Sequence, residues 1–373
     1  MFYIEMLCMA ASVCAAAAPR SEIVVSNPSA VDRVDEMVEA DASLFPDTAF
    51  AIVDSDGNEV PYQITGDRKL IFQASVKADT SACYRIVCRI PAVADTVCYG
   101  RVFPERLDDL AWENDRSAYR AYGPALQRTG ERAFGYDVWT KSVSAPILEQ
   151  RYHDHIVNGI SFHADHGNGM DVYAVGPTLG GGTSALCTAS DSIVYPYCWE
   201  SVEILDNGPL RFKARLVYPP AVVNGASVVE TRVITLDKGS WLNKTEVSYS
   251  NMPSDVHPIA GIVIHSSNPS GYTIMPQCNV LSYVDLTQNP DGDNGQIYIG
   301  IVAPDTDMRY MAMPAGQSGE AIGHAVAEFK APAFTYYWGS GWSKGGMPSV
   351  EHWNRVLAEF SDNLAKPLEV EVR

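Results

Sequence analysis

Four of the eight histidines in this sequence fall between His153 and His166, in a stretch rich in polar residues. The stretch continues to Asp171 and Tyr173. Histidine exchanges protons near neutral pH, and tyrosine can serve as its acid partner. We therefore predict His166 or His163 as a catalytic base and Tyr173 as a catalytic acid. The two roles can be reversed, because a nearby cation lowers the pKa of a tyrosine enough for it to act as a base.

The histidine-rich stretch has two other interpretations. One is a divalent metal held by His163, His166 and Asp171, although their spacing fits no standard zinc signature. The other is a loop with solvated histidines. No cofactor is assigned on this basis, and Asp171 is predicted to bind substrate. Nearby glycines would let the backbone approach a ligand closely; they are Gly167, Gly169, Gly176, Gly180, Gly181 and Gly182.

A second polar segment, WENDRSAYRAYGP, runs from Trp112 to Pro124. If it forms one strand, Asn114, Arg116 and Arg120 point to the same face. A guanidinium fork matches two carboxylate oxygens and the amide adds a donor, so this face suits a bound carboxylate. Arg116 is predicted to be catalytic through charge stabilisation. The predicted substrate-binding residues are Trp112, Asn114, Arg120 and Tyr122. The alternative is a buried ion-pair network that joins two domains through the same residues.

A third segment, YYWGSGWSK, runs from Tyr336 to Lys344 and places aromatic rings beside glycines and a lysine. Tyrosine and tryptophan rings stack on the apolar faces of sugars. Trp342 and Lys344, which follow the glycines, are predicted to bind substrate. Core packing at a strand end explains Tyr337 or Trp338 equally well.

These segments need a scaffold, and the pattern around them predicts an all-β fold. Short apolar runs between Ser21 and Pro104 predict a small β-sandwich. We expect a linker near Val102 to Asp109, giving an N-terminal domain at 19–104 and a large antiparallel β-sandwich catalytic domain at 105–373. A helix behind a Ser349 cap should pack across the large sheet. The strands predicted in the large domain are Arg211 to Tyr218, Val228 to Leu236, Asn243 to Ser250, Gly261 to His265, Gln296 to Val302, Ala325 to Phe329 and Phe334 to Trp338.

Charge and hydropathy restrict the partners and the compartment. The 373-residue chain has a formal net charge of −18, which argues against nucleic-acid binding. Residues 1–18 are apolar and end in small residues, as in a cleavable secretion signal, although Glu5 is unusual there. We expect a periplasmic or secreted protein, with lipid attachment at Cys14 as an alternative. No later run reaches the roughly 18 apolar residues of a membrane helix.

The cysteines leave the redox chemistry open. Six of the eight lie after the predicted signal, and none forms a CxxC pair. Disulfides between Cys83 or Cys88 and Cys98, and between Cys187 and Cys198, are one interpretation. Buried free thiols are the other.

The sequence resembles a bacterial family known as domain of unknown function 4861. The resemblance rests on WENDRSAYRAYGP, on HADHGNGMDVYAVGPTLGGG and on YYWGSGWSK, and it covers most of the chain after the predicted signal. It implies a carbohydrate-active enzyme, with a fold similar to the large sandwiches of galactose mutarotases and several polysaccharide lyases. At least one member of the family looks like an oligosaccharide dehydratase, which removes water from a uronic acid at the non-reducing end.

The predicted function is a β-elimination at the terminal uronic acid of an acidic oligosaccharide, by a dehydratase or a lyase. Such a reaction needs a partner for the carboxylate, a base for the C5 proton and an acid for the departing oxygen. Alternatives are a mutarotase-like or epimerase activity, which needs no arginine aimed at a carboxylate, and a carbohydrate-binding protein without catalysis. A glycoside hydrolase would have to use Glu113 and Asp115 as its carboxylate pair.

Overall fold

The computed structural model describes residues 21–289, 291–314 and 319–373. This part of the chain is nearly all β, in several antiparallel sheets, which confirms the predicted fold class. The secretion signal predicted at residues 1–18 lies outside the described residues and stays a prediction. No helix in the described ranges is long and apolar enough to cross a membrane.

Strands dominate the described chain and three helices accompany them. The strands are β1 (Glu22–Ser26), β2 (Arg33–Asp41), β3 (Ala51–Val53), β4 (Glu59–Val60), β5 (Tyr62–Ile64), β6 (Lys69–Val76), β7 (Ser81–Val87), β8 (Tyr99–Phe103), β9 (Asp109–Glu113), β10 (Ala118–Ala121), β11 (Asp137–Trp139), β12 (Gly181–Thr188), β13 (Ile193–Val194), β14 (Ser201–Asn207), β15 (Arg211–Val217), β16 (Ala221–Val223), β17 (Ala226–Asp237), β18 (Leu242–Ser250), β19 (Val256–His265), β20 (Tyr272–Met275), β21 (Val280–Asp285), β22 (Ile297–Val302), β23 (Asp307–Ala312), β24 (Ala321–Glu328), β25 (Ala333–Trp342) and β26 (Glu369–Val372). The helices are α1 (Pro124–Arg128), α2 (Leu148–Val157) and α3 (Val350–Ala365).

Two large antiparallel sheets pack face to face in the second part of the chain. One has the order β14-β15-β17-β18-β25-β22-β21-β20, with β16 beside β17, and the other has the order β13-β12-β19-β24-β23. Along β17, buried and half-buried residues alternate, as expected for a strand with one face on a core. Side chains of both sheets meet in one apolar core, including Ile234, Ile262 and Trp338. The long strands predicted from sequence correspond to the strands of this sandwich.

A four-stranded sheet, in the order β11-β10-β9-β8, packs its buried rings against that core. The linker predicted near Val102 to Asp109 is instead a tight connection, because β8 and β9 pair as antiparallel neighbours and a single 3-10 turn at Pro104–Arg106 joins them. A turn this short holds the two strands in register and leaves no free linker. The domain boundary after residue 104 stays a prediction.

The first part of the chain forms a smaller pair of sheets with its own apolar core. Their orders are β26-β1-β7-β3-β4 and β2-β6-β5, and their core includes Ile23, Ile52 and Phe72. Strand β26 comes from the other end of the described chain and pairs with β1. Backbone hydrogen bonds of 2.8 Å join the Ser21 N–H to the Arg373 carbonyl and the Arg373 N–H to the Glu22 carbonyl.

Helix α3 lies on the outer face of the nine-stranded sheet, as predicted. The Ser349 hydroxyl accepts a hydrogen bond from the backbone N–H of His352 at 3.2 Å and so caps the first turn. Trp353 and Leu357 are fully buried against residues of β21 and β22. The 3.6-residue period of the apolar side chains therefore identified both the helix and its buried face.

The six cysteines of the described chain are all free thiols, so neither predicted disulfide pairing is present. Cys98 and Cys187 are fully buried, and Cys198 nearly so. Burial raises the pKa of Cys198 to about 11, which keeps this thiol protonated.

Candidate functional site

The segment from Trp112 to Pro124 is a hairpin and not the single strand predicted from sequence. The Asn114 side chain accepts hydrogen bonds from the backbone N–H groups of Arg116 and Ser117, at 2.9 and 3.1 Å, and so closes a turn between β9 and β10. Asn114 and Arg116 therefore lie in the turn, while Arg120 lies on the following strand. These three residues do not form the common carboxylate-binding face that was expected.

Arg120 lies instead at the centre of a buried ion-pair network. Its Nη2 contacts the Asp137 carboxylate and donates to Asp171 Oδ2 at 3.0 Å. Its Nη1 lies 3.6 Å from Asp109 Oδ2. The guanidinium also lies within 6 Å of three ring centroids, those of Tyr122, Trp139 and Phe162. The alternative left open by the sequence was a buried ion-pair network joining two domains; the observed network is buried, but it contains only Arg120 of the residues predicted for it and links strands β9, β10 and β11 with Asp171.

Three carboxylates share this one guanidinium, so the network retains protons near neutral pH. Burial, reinforced by the Asp137 charge, raises the pKa of Asp171 to about 8, and burial raises the pKa of Asp109 to about 6. A guanidinium that is already surrounded by carboxylates offers little net attraction to the carboxylate of a substrate. The position of Arg120 therefore does not support its predicted role in binding a substrate carboxylate.

Tyr173 follows Asp171 by two residues and is 2% exposed. Its hydroxyl has no hydrogen-bond partner among the described residues. Its ring lies edge-on to the His265 imidazole, with the centroids 6.0 Å apart. His265 Nδ1 donates to Asp285 Oδ2 at 2.7 Å. We refer to Tyr173, His265 and Asp285 as the acid–base cluster.

Burial decides the protonation of the tyrosine in this cluster. Burial, followed by the Asp285 charge, raises the pKa of Tyr173 well above its ordinary value, so the hydroxyl keeps its proton. Asp285 also accepts a hydrogen bond from the backbone N–H of Thr287 at 2.7 Å, which fixes the carboxylate that orients His265. With Nδ1 donating to Asp285, a neutral His265 carries its lone pair on Nε2. The cluster therefore holds one proton donor and one proton acceptor.

A cavity of about 280 Å³ opens beside the acid–base cluster. Its walls include His265, Gln288, Gly176 and Glu320, and its described lining contains no lysine or arginine. Gln288 joins the cavity to the tyrosine segment, because its side-chain amide donates to the Tyr173 carbonyl at 3.1 Å. His265 itself lines the cavity, and Tyr173 directly precedes Ala174 and Val175 of the cavity wall.

A larger cavity of about 670 Å³ lies elsewhere, between the Gly66 turn and the outer face of the nine-stranded sheet. None of the residues predicted to be functional lines it. Its cations are already paired, since Lys213 lies 2.8 Å from Asp67 and Arg215 lies 2.6 Å from Glu203. Chemistry therefore favours the smaller cavity as the candidate site.

The two predicted bases lie outside this cavity. His163 has half of its side chain exposed, and its Nδ1 donates to the backbone carbonyl of Asp171 at 2.7 Å. His166 is exposed and its Nε2 donates to the Ser161 carbonyl at 2.9 Å. Among the described residues, no group of three or more His, Cys, Asp or Glu side chains is arranged to hold a metal ion.

The remaining predicted substrate-binding residues are distributed over the fold. Trp112 and Asn114 are fully buried, and their side chains donate to Asn243 and to two backbone carbonyls, so their positions do not support direct contact with a substrate. Trp342 is 2% exposed and donates to the Asn294 carbonyl at 2.8 Å. Lys344 pairs with Asp293. Arg116 is exposed and stacks 5.2 Å from the Trp241 ring, away from Arg120.

The glycines near Tyr173 have different roles in the structure. A Cβ on Gly182 would lie 2.8 Å from the Trp338 Cβ, and one on Gly180 would lie 2.3 Å from the Tyr136 carbonyl oxygen. These two glycines therefore allow protein segments to pack closely. Gly176 has φ +52° and open space around it, and it lines the cavity. It is the glycine whose position fits the predicted approach to a ligand.

Sequence reasoning missed His265 and Asp285, which lie 92 and 112 residues after Tyr173 in the chain. A signal for them exists, because each is a polar residue that ends an apolar strand, GIVIH in β19 and VLSYVD in β21. Binding and catalytic residues are disproportionately found on the loops that a rigid scaffold positions, which makes polar residues at strand ends candidates. His324 is also buried nearby, and burial, followed by the His265 charge, lowers its pKa to about 3, so it stays neutral.

Comparison with known proteins places the chain in a family. The model described as Domain of unknown function (DUF4861) matches residues 25–370, which confirms the resemblance seen in the sequence. The protein described as "Uncharacterized protein P7" from Formosa agariphila is 25% identical over 329 residues, covering 82% of this chain and 78% of that protein.

Two solved structures from Enterococcus faecalis share the fold. One is a protein in the glycosyl hydrolase family 38 (TM-score 0.51) and the other an α-mannosidase (TM-score 0.50), each 8% identical to this chain. Each match covers 95% of this chain, yet the chain spans only 47% and 46% of those proteins. At this identity the likeness concerns the fold alone.

Proposed function

The chain belongs to the family Domain of unknown function (DUF4861), and on that premise we propose that it is a carbohydrate-active enzyme that performs a β-elimination on a terminal uronic acid. The observation that carries the proposal is the acid–base cluster beside the 280 Å³ cavity. The shared fold of two carbohydrate-active proteins supports a sugar as the substrate. Water or a sugar alcohol leaves, according to whether the enzyme is a dehydratase or a lyase.

The two protons of the reaction are assigned to two residues of the cluster. His265 Nε2 takes the C5 proton, and the electron pair of that bond forms the C4–C5 double bond. The C4–O bond breaks with its electrons on oxygen, and the Tyr173 hydroxyl gives its proton to that oxygen. Hydroxide and alkoxide are more basic even than a buried tyrosinate, since the pKa of water is about 15.7. Proton exchange from imidazolium to tyrosinate then restores the starting state.

Asp285 acts through His265 in this scheme. Its carboxylate holds the Nδ1–H at 2.7 Å and stabilises the imidazolium that forms when Nε2 takes a proton. His163 and His166, the bases predicted from the sequence, lie outside the cavity, so we assign the base to His265 instead. Tyr173 keeps the acid role that the sequence predicted.

A second candidate is an epimerase or mutarotase acting on a neutral sugar. It is favoured by one observation, the lack of lysine and arginine in the described lining of the cavity. Both reactions use an acid and a base, but only elimination beside a carboxylate requires charge neutralisation. The nature of the product separates them.

The test incubates the protein with uronate-terminated oligosaccharides and follows the absorbance of the unsaturated uronate together with product mass. A rise in absorbance with loss of water indicates a dehydratase, and a rise with chain shortening indicates a lyase. His265→Gln should abolish the signal, while His153→Ala, on an exposed helical face, should keep it. Loss of turnover in His163→Ala or His166→Ala, with full turnover in His265→Gln, would show that the base assignment is wrong. Isomerised but saturated neutral sugar would identify the second candidate.

A further inference from the structure

An aromatic and cationic surface adjoins the Gly176 segment of the cavity wall and has no role in the proposed chemistry. It consists of the rings of Phe134, Tyr195 and Tyr197, which we call the aromatic rim, and of the Arg132 guanidinium. Building on the proposed function, we propose that Arg132 and Tyr197 form a second sugar subsite, which binds an acidic sugar next to the reacting one.

The aromatic rim is attached to the cavity on two sides. The backbone N–H of Phe134 donates to the carbonyl of Gly176 at 3.2 Å, and Gly176 is part of the cavity wall. The Tyr195 ring packs against His324, with the centroids 5.9 Å apart, and His324 lies on strand β24, whose first residue, Ala321, lines the cavity. The aromatic rim therefore adjoins the Gly176 side of the cavity wall.

Tyr197 supplies the stacking surface of the subsite. It is 49% exposed, although its ring is held edge-on to Phe134 with centroids 5.5 Å apart. A tyrosine fixed by its neighbours yet half open to solvent presents apolar area at low cost in side-chain entropy, as rings that stack on sugars do. Phe134 itself is buried and serves as the support, with Tyr195 stacked at 5.6 Å.

Arg132 supplies the charge. Its guanidinium lies 5.4 Å from the Phe134 ring centroid, and no carboxylate in the described ranges lies within 4.0 Å of it. By contrast, Arg101, Arg215 and Arg309 pair with carboxylates at 2.5 to 2.6 Å. An unpaired guanidinium over the Phe134 ring, next to a cavity whose described lining has no lysine or arginine, is complementary to a sugar carboxylate, which it can bind through two hydrogen bonds.

The test measures binding separately from turnover. Calorimetry is performed on full-length Tyr173→Phe, in which turnover is expected to be about 10²–10⁴-fold slower, with trisaccharides of galacturonic, glucuronic and mannuronic acid, and with galactotriose as the neutral probe. Adding Arg132→Gln should weaken the binding of the acidic probe about 10-fold, since a hydrogen bond to a charged group is lost, and leave galactotriose binding unchanged. Adding Tyr197→Leu should weaken the binding of acidic and neutral probes alike. Arg128→Gln is the matched control, because Arg128 is exposed and close in sequence.

Two outcomes would overturn the subsite: no binding of any acidic trisaccharide, or binding that both Arg132→Gln and Tyr197→Leu leave as tight as in the parent. Turnover by the unsubstituted protein is followed with the same trisaccharides. Arg132-dependent binding without turnover would leave the subsite standing and contradict the proposed elimination. Turnover that neither Arg132→Gln nor Tyr197→Leu changes would support the elimination and contradict the subsite.

Discussion

Arg120 donates a hydrogen bond to the Asp171 carboxylate at 3.0 Å, and this contact joins strand β10 to the segment that carries Tyr173. Two segments that the sequence separates by about fifty residues thus meet inside the protein. This contact stabilises the fold and does not point to substrate binding, because Asp171 and two other aspartates surround the guanidinium. The proposed chemistry lies two residues further on, at Tyr173, whose hydroxyl has no partner among the described residues and whose ring lies edge-on to His265.

Arg120→Met should destabilise the protein by about 3–5 kcal/mol, because it leaves three buried carboxylates without their cation. Urea denaturation at neutral pH measures the free energy of unfolding. Arg128→Met is the control, since Arg128 is 71% exposed and its loss should stay within about 0.5 kcal/mol. Equal effects of the two substitutions would contradict the network.

Asp171→Asn should flatten the pH dependence of stability between pH 4 and 8. The pKa of Asp171 is raised from 3.8 to about 8 by burial, so the folded state binds a proton that the unfolded state releases. That contribution to stability is complete below pH 3.8 and is lost as the pH rises towards 8. Between pH 4 and 8 the free energy of unfolding should therefore fall less in Asp171→Asn than in the wild-type protein. The expected difference is at least about 1 kcal/mol. Exposed Asp293→Asn should keep the wild-type slope.

Tyr173→Phe should lower turnover by about 10²–10⁴-fold, the usual contribution of a general acid. The fold should be unaffected, because the hydroxyl makes no hydrogen bond within the described chain and its removal leaves no new unpaired group. Initial rates and the thermal midpoint are measured on the same preparation. Full turnover in a folded variant would remove Tyr173 from the mechanism.

Asp285→Asn should lower kcat more than it changes KM, because Asp285 does not touch the substrate and acts by orienting His265. Initial rates over a range of substrate concentrations separate the two constants. A change confined to KM would mean that the pair only supports the cavity wall.

Local patterns in the sequence predicted much of the fold. Helix α3 could be placed from its Ser349 cap and its apolar period, and long strands such as β17 from alternating side chains. The hairpin at Asn114 was missed because an asparagine amide can either close a turn or bind a ligand, and the sequence does not distinguish the two uses. Strand β2 was missed because its side chains are mostly polar and half of them reach solvent.

The candidate site was predicted only in part, and distance along the chain explains the difference. Tyr173 stood out because it follows a run of histidines and glycines. Its structural partners His265 and Asp285 come from two strands of different sheets, and no local spacing connects them. The exposed histidines His163 and His166 had a stronger local signal than His265, because they lie in a cluster of polar residues. Burial beside a cavity depends on tertiary packing, which a local sequence pattern does not record.

The pairing of β26 with β1 has a consequence for how the protein is made. Ribosomes deliver the chain from its N-terminus, so β26 emerges more than 340 residues after β1. Until then β1 has an open edge on the side that β26 will cover, and such an edge is a template for pairing with other chains. A strand synthesised long after β1 therefore closes the sheet to which β1 belongs, and the sheet is complete only after that late strand has been made.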